Sequence, residues 1–148
     1  MSSEKKILVI GSNGQIGTVL TNTLAKKHSY DNVIGSDLQP PNHLTKFIFE
    51  PCSVLDKEKL SDIVNKYAVT DIYLLAAYLS VKGEKFINKA WDVNVNGLLN
   101  VLNIAKEYNV RRVFWPSSIA VFGPTTPKRN VDQYAITEPT TIYGVSKL

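Results

Sequence analysis

The feature that most restricts what this chain can fold into is a short apolar run that breaks directly into glycines. Ile7-Leu8-Val9-Ile10 is followed by Gly11-Ser12-Asn13-Gly14-Gln15-Ile16-Gly17, after which Ile16, Leu20 and Leu24 recur at helical spacing. A continuous, β-branched run bounded by glycine is the pattern of a strand buried on both faces of a parallel sheet. The order is therefore strand, glycine turn, helix. A turn free of β-carbons lets backbone N–H groups approach a pyrophosphate, and its last glycine lets the helix pack close to the strand. The unpaired donors at the helix start then hold the anion. A plain tight turn is the alternative, but the strand before and the helix after favour a dinucleotide. Gly11, Asn13, Gly14, Gln15, Ile16 and Gly17 are the positions expected to touch it.

The same alternation continues along the chain. A second strand, Asn32–Ser36, ends at Asp37, whose carboxylate suits the hydroxyls of an adenosine ribose and repels a 2′-phosphate. Neither Leu38 nor Gln39 offers a cation to such a phosphate, so NAD is expected rather than NADP. Asp37 also opens a turn-rich loop, Gln39-Pro40-Pro41-Asn42, and that is its other reading. Phe47–Phe49 reads as a third strand, and Lys57–Tyr67 as an amphipathic helix capped by Asp56. Ile72–Leu75 reads as the fourth strand. At its carboxyl end, Leu75, Ala76 and Ala77 either let backbone pass near the cofactor or simply pack. Glu84–Tyr108 has the periodicity of one long helix, with Phe86, Ala90, Val93, Gly97, Val101, Ile104 and Tyr108 on its apolar stripe. Asn94 sits near that stripe. A buried amide needs partners, so it ties backbone together or serves the cofactor site indirectly, the structural role being favoured. Arg112–Trp115 reads as the fifth strand and leads to Ser117 and Ser118; Gly123–Thr141 is proline-rich and irregular. These elements predict an α/β fold with a doubly wound parallel sheet of about five strands, ligands lying at the strands' carboxyl ends.

Composition removes several classes of function. The 148 residues, 44% hydrophobic and 20% charged, have the balance of one ordinary globular domain, residues 1–148. The net charge of +4 comes from scattered lysines rather than a basic stripe, so no nucleic-acid partner is expected. One cysteine, Cys52, and two histidines, His28 and His43, supply no zinc-ligand spacing, and no metal is expected. The apolar run after Lys5 and Lys6 is too short for a signal peptide or a membrane span, and a cytosolic location fits best.

Near the end of the chain stand Tyr143 and Lys147, four apart and so expected on one side of a helix. A phenol with its usual pKa of about 10 is a poor base near neutrality. An ammonium one turn away favours its phenolate. Tyr143 can then take a proton from a substrate hydroxyl while Ser118 holds the substrate oxygen, and hydride leaves the same carbon for a nicotinamide.

Taken together, Gly11-x-x-Gly14-x-x-Gly17, Asn94-Val95-Asn96-Gly97, Ser117-Ser118-Ile119-Ala120-Val121-Phe122-Gly123 and Tyr143-x-x-x-Lys147 resemble the extended short-chain dehydrogenase/reductases, which have a Rossmann fold. Within that group, the stretches Tyr78–Glu84 and Trp115–Lys128 resemble the L-threonine 3-dehydrogenases. The resemblance implies oxidation of L-threonine to 2-amino-3-oxobutanoate with NAD. Tyr143 would be the base, Lys147 its partner and a nicotinamide-ribose ligand, Ser118 the substrate-orienting hydroxyl with Ser117 as its substitute, and Ser80 a substrate contact. Asn94 falls among the cofactor-binding positions of the pattern. A nucleotide-sugar epimerase or dehydratase shares these motifs, and an NAD-binding module without catalysis is the non-enzyme alternative. Where the family carries an aspartate near the adenine, this chain has Ser53. The family also runs to about twice this length, with a further strand and a substrate domain. A truncated chain is thus expected, whose full-length form pairs as a homodimer.

Overall fold

The computed structural model of the protein describes residues 5–42 and 44–148. The chain gathers into two compact units. One runs through Ala76 and resumes over Gly97–Trp115; the other comprises Ala77–Asn96 and Pro116–Leu148.

The first unit is the doubly wound α/β structure that the sequence predicts. Its strands are β1 (Ile7–Ile10), β2 (Val33–Asp37), β3 (Ile48–Pro51), β4 (Asp71–Leu74) and β5 (Arg112–Phe114); its helices are α1 (Gln15–His28), α2 (Lys57–Lys66) and α5 (Gly97–Glu107). The strand order is β3-β2-β1-β4-β5, and each neighbouring pair is parallel. Order reverses beside β1, which makes the carboxyl ends of β1 and β4 the switch point where such sheets bind ligands. All four residues of β1 are at most 2% exposed, as a central parallel strand requires. Ile7 and Val9 join Leu24, Ala25, Val33 and Phe47 in a cluster on one face of the sheet. Leu8 and Ile10, alternating with them, point to the other face. Right-handed crossovers put α2 and α5 there, against one another, contributing Leu60, Ile63, Val64, Val101 and Ile104 to the buried set. Asp56 caps α2 as expected, its Oδ1 accepting Lys59 N–H at 3.1 Å.

Three expected elements are corrected. The third strand lies at Ile48–Pro51 rather than Phe47–Phe49, because pairing with Ile34–Asp37 sets its register; Phe47 instead buries its ring in the α1 cluster. Pro51 is tolerated because β3 is an edge. In α1, Leu20 and Leu24 turn inward but Ile16 is 67% exposed, since the first turn projects beyond the sheet's carboxyl end. The single helix Glu84–Tyr108 is in fact four pieces: α3 (Ser80–Lys85), α4 (Ile87–Trp91), a π turn over Asp92–Asn96, and α5. Phe86, at φ −133° and ψ 64°, interrupts the first pair, and its ring is 48% exposed rather than in the stripe. The π turn brings Asn94 to 2% exposure.

The second unit is built from α3, α4, the π turn, a short 3-10 turn at Ile119–Val121 and α6 (Ile142–Val145). Its long loop is pinned internally. Thr126 Oγ1 accepts Gly123 N–H at 3.0 Å and donates to the Ile136 carbonyl at 2.7 Å, while Glu138 Oε2 accepts both the N–H and the hydroxyl of Thr125.

Two outcomes follow for the first unit. A β-carbon on Gly17 would stand 2.0 Å from the Gly11 carbonyl oxygen, so Gly17→Ala is expected to lose about 3 kcal/mol or more in urea unfolding. Glu50 Oε1 accepts from Lys66 Nζ at 2.7 Å and from the Tyr67 hydroxyl at 2.6 Å, tying edge strand to helix end. Those bonds, the one from Lys66 first, hold the Glu50 carboxyl below its ordinary value of 4.5. Because the folded value is the lower one, this stabilisation is full above pH 4.5 and disappears as pH falls through the folded value. Glu50→Gln should therefore be less stable than the parent near pH 7, with the gap narrowing as pH falls below 4.5 in paired urea titrations.

Candidate functional site

In the first unit the glycine turn is defined by backbone contacts. Gly11 takes φ +89°, a conformation that side chains disfavour, and a β-carbon on it would lie 2.6 Å from Ala76 N and 2.9 Å from Leu75 C. Leu75 and Ala76 in turn give their N–H groups to the Ile10 carbonyl at 2.8 and 3.0 Å, and Gly11 and Ser12 give theirs to Ser36 O at 2.8 and 3.1 Å. The turn is thus welded to both neighbouring strands. Gly14 differs: at φ −70° and ψ 171° its backbone suits any residue, and a β-carbon there would meet nothing nearer than Gly11 O at 3.4 Å. Nothing in the packing around Gly14 requires a glycine.

The helix that follows presents its first N–H groups bare. No side chain caps α1, no acidic residue stands in its first turn, and Gln15 and Ile16 are exposed. Asp37, at the end of β2, accepts Asn13 N–H at 2.9 Å through Oδ2 and Leu38 N–H at 2.8 Å through Oδ1. The Asn13 amide also donates to the Gln39 carbonyl. These bonds shape a cleft of about 470 Å³ lined by Asn13, Thr18, Asp37, Leu38, Gln39, Pro40, Pro41 and Asn42. Asp37 fills both of its expected places, strand end and loop opener. Ser53, which stands where the family pattern has an aspartate, uses its Oγ to accept Leu55 N–H at 3.2 Å.

The second unit holds the other candidates. Tyr143 lies in α6, but Lys147 lies past the helix end: Ser146 is the C-cap, and Lys147 N–H reaches Gly144 O at 3.1 Å. The expected single helix tightens here to an i→i+3 turn, as helix ends do. The pair still meets, with Lys147 Nζ 6.0 Å from the centroid of the Tyr143 ring. Lys147 is 3% exposed, and burial lowers its ammonium from the ordinary lysine value. Ser117 and Ser118 separate by their bonds. Ser117 Oγ donates to the Lys147 carbonyl at 2.9 Å and so ties the chain near the lysine. Ser118 Oγ accepts Ala120 N–H at 3.2 Å, which leaves a hydroxyl its own hydrogen to give. Ala77 is half-buried in this unit, and the side chain of Ser80 lies outside the described residues.

Asn94 connects the parts of this unit. Its Oδ1 accepts Tyr78 N–H at 2.7 Å, and its Nδ2 donates to Tyr78 O at 3.1 Å and to Ser146 Oγ at 2.9 Å. Ser146 passes the chain on by donating to the Tyr143 carbonyl at 2.8 Å. The backbone-tying role expected of Asn94 is the one observed. Ser146 carries no sequence signal at all; it is legible only once the π turn has placed Asn94. Among the described residues, no group of three or more His, Cys, Asp or Glu is arranged to hold a metal ion, and no helix is long and apolar enough to cross a membrane. Asn94→Ala removes three bonds, leaves the N–H and C=O of half-buried Tyr78 without that partner, and should cost about 2–5 kcal/mol in chemical unfolding.

Set beside known proteins, residues 7–148 match the NAD dependent epimerase/dehydratase family. An uncharacterized epimerase/dehydratase of Staphylococcus saprophyticus is 40% identical over 147 residues, covering 97% of this chain and 46% of the relative. Among solved structures, an L-threonine dehydrogenase from Cupriavidus necator in holo form is 46% identical with a TM-score of 0.91, over 95% of this chain and 46% of that one. A UDP-glucose 4-epimerase from Brucella ovis in complex with NAD, at 23% identity and a TM-score of 0.86, shares the fold over 97% of this chain and 44% of that one. This chain thus spans about half the length of the proteins it matches.

Proposed function

We propose a function from the premise that this chain belongs to the NAD dependent epimerase/dehydratase family: residues 1–148 are the NAD-binding part of a dehydrogenase that oxidises L-threonine to 2-amino-3-oxobutanoate. The observation that carries the cofactor reading is Gly14. Internal packing accounts for Gly11 and Gly17, but a β-carbon at position 14 would make only an ordinary contact with Gly11 O at 3.4 Å, which supports reading its absence as room for a group from outside the chain. The bare N–H groups of Gln15 and Ile16 fit a pyrophosphate, and Asp37 at the cleft fits ribose hydroxyls. Among the described residues that line the cleft none is a cation suited to a 2′-phosphate, which favours NAD over NADP.

NAD held at this site would supply the acceptor for a hydride from the substrate carbon. The chain's own residues handle the proton and the orientation. Ser118 hydrogen-bonds the substrate oxygen through its hydroxyl, the Lys147 ammonium favours the phenolate form of Tyr143, and that phenolate takes the proton from the substrate oxygen and becomes neutral. Leu75, Ala76 and Ala77 supply backbone along the cofactor, Ser80 contacts the amino acid, and Ser117 and Asn94 hold Lys147 and Tyr143 in place through their backbones. Threonine is favoured over a nucleotide sugar by the 46% identity to the Cupriavidus necator dehydrogenase, against 23% to the epimerase. The substrate is a small amino acid, the location cytosolic, and the full-length form a homodimer.

Titrating NADH while following its fluorescence should give saturable binding, and Gly14→Val should weaken that binding at least about tenfold with little change in thermal midpoint. Parent-like binding by Gly14→Val would remove the cofactor reading. NAD reduction should depend on L-threonine and not on UDP- or GDP-sugars, and Tyr143→Phe should lower it about 100-fold or more. Turnover of sugars alone would move the chain to the epimerases, while binding without turnover of either would leave an NAD-binding module.

A further inference from the structure

We propose that Glu84 is a positioning residue for the tyrosine, holding α6 by its first backbone N–H. This rests on the reading of Tyr143 as the base. Glu84 Oε1 accepts Ile142 N–H at 2.8 Å, across 58 positions of sequence. Ile142 is the first residue of α6, and Tyr143 is covalently next to it.

A helix of four residues does not recover the cost of its own nucleation, so contacts from elsewhere fix its direction. Beside the Asn94–Ser146 and Ser117–Lys147 bonds near its end, three contacts bear on its start. Thr141 Oγ1 accepts Gly144 N–H at 2.9 Å, which shapes the first turn locally. Gly144 presses on the 3-10 turn so closely that a β-carbon would sit 2.2 Å from Ala120 O, which sets the height of the helix over that turn. Neither of these stops the start of α6 from swinging about the Gly144 contact. Glu84 does, because it grips the opposite end from a separate helix. The grip is close: a β-carbon on the adjacent Gly83 would lie 3.7 Å from Ile142 Cγ2 and 3.5 Å from Ala90 Cβ. A carboxylate suits the task because it only accepts, and a charged acceptor binds an N–H more strongly than a neutral one. A swing of about 1 Å at a reacting group is enough to cost on the order of 100-fold in rate.

The test compares E84A, E84D and E84Q in the full chain. Gln keeps an acceptor at the same reach, Asp keeps the charge but falls short by one methylene, and Ala keeps neither. Amide hydrogen exchange over residues 142–147 should quicken at least about tenfold in E84A and E84D and stay within about threefold of the parent in E84Q, with NADH affinity unchanged in all three. In turnover, kcat should fall about 10- to 100-fold in E84A and E84D with KM for NAD unchanged, and E84Q should recover most of it. Unchanged exchange and kcat in E84A and E84D, or a loss that E84Q shares equally, would overturn the proposal. Should E84A not fold, E84D against E84Q still decides it. If the parent fails to oxidise threonine while the exchange pattern holds, the threonine reading falls and the placement of α6 by Glu84 stands.

Discussion

At the carboxyl end of β1, backbone from separate segments converges to distances that leave no room for a side chain. Gly11 sits against the Leu75–Ala76 peptide of the β4 end, and Gly17 sits against the Gly11 carbonyl, each within 2.6 Å of where its β-carbon would be. This contact fixes how the first helix leaves the sheet and places a bare helix start at the switch point. The cleft beside it follows from the same geometry, because Asn13 and Asp37 can bond only when the turn is held against β2. Of the three glycines, two are consumed by the fold and one is left over, and the proposed cofactor contact rests on that one.

In the second unit the equivalent constraint is a buried amide. Asn94 satisfies both polar groups of the Tyr78 peptide and engages Ser146, which in turn bonds the tyrosine's own carbonyl. The π turn over Asp92–Asn96 carries Asn94 at 2% exposure. The lysine is then held by backbone, through Ser117, and stays buried at the end of a short turn rather than on a long helical face.

The features legible in the sequence are those that local chemistry decides. A glycine turn between an apolar run and a helical stripe, an aspartate before Lys57, and alternating elements were enough for the parallel sheet and for the cofactor candidates. The features that were not legible depend on partners distant in sequence. Periodicity across Glu84–Tyr108 is continuous in apolar content, so neither the break at Phe86 nor the π turn shows in the residues. Register against β2 moved β3 past Phe47, and exposure beyond the sheet removed Ile16 from the stripe. The two adjacent serines have the same chemistry, and only their partners, a lysine carbonyl for one and a turn N–H for the other, tell them apart.

The central claim is that the turn after β1 receives a dinucleotide through backbone N–H groups. The most direct measurement is an amide correlation spectrum of the isotope-labelled protein recorded with increasing NAD. The account predicts progressive shifts confined to Gly11–Gly17, Asp37–Asn42 and Leu75–Ala76 within the first unit, with the Gly14, Gln15 and Ile16 amides moving furthest. Saturating NAD that leaves those amides unmoved, or that perturbs instead the opposite ends of the strands near Lys6, Asp71 and Arg111, would contradict it.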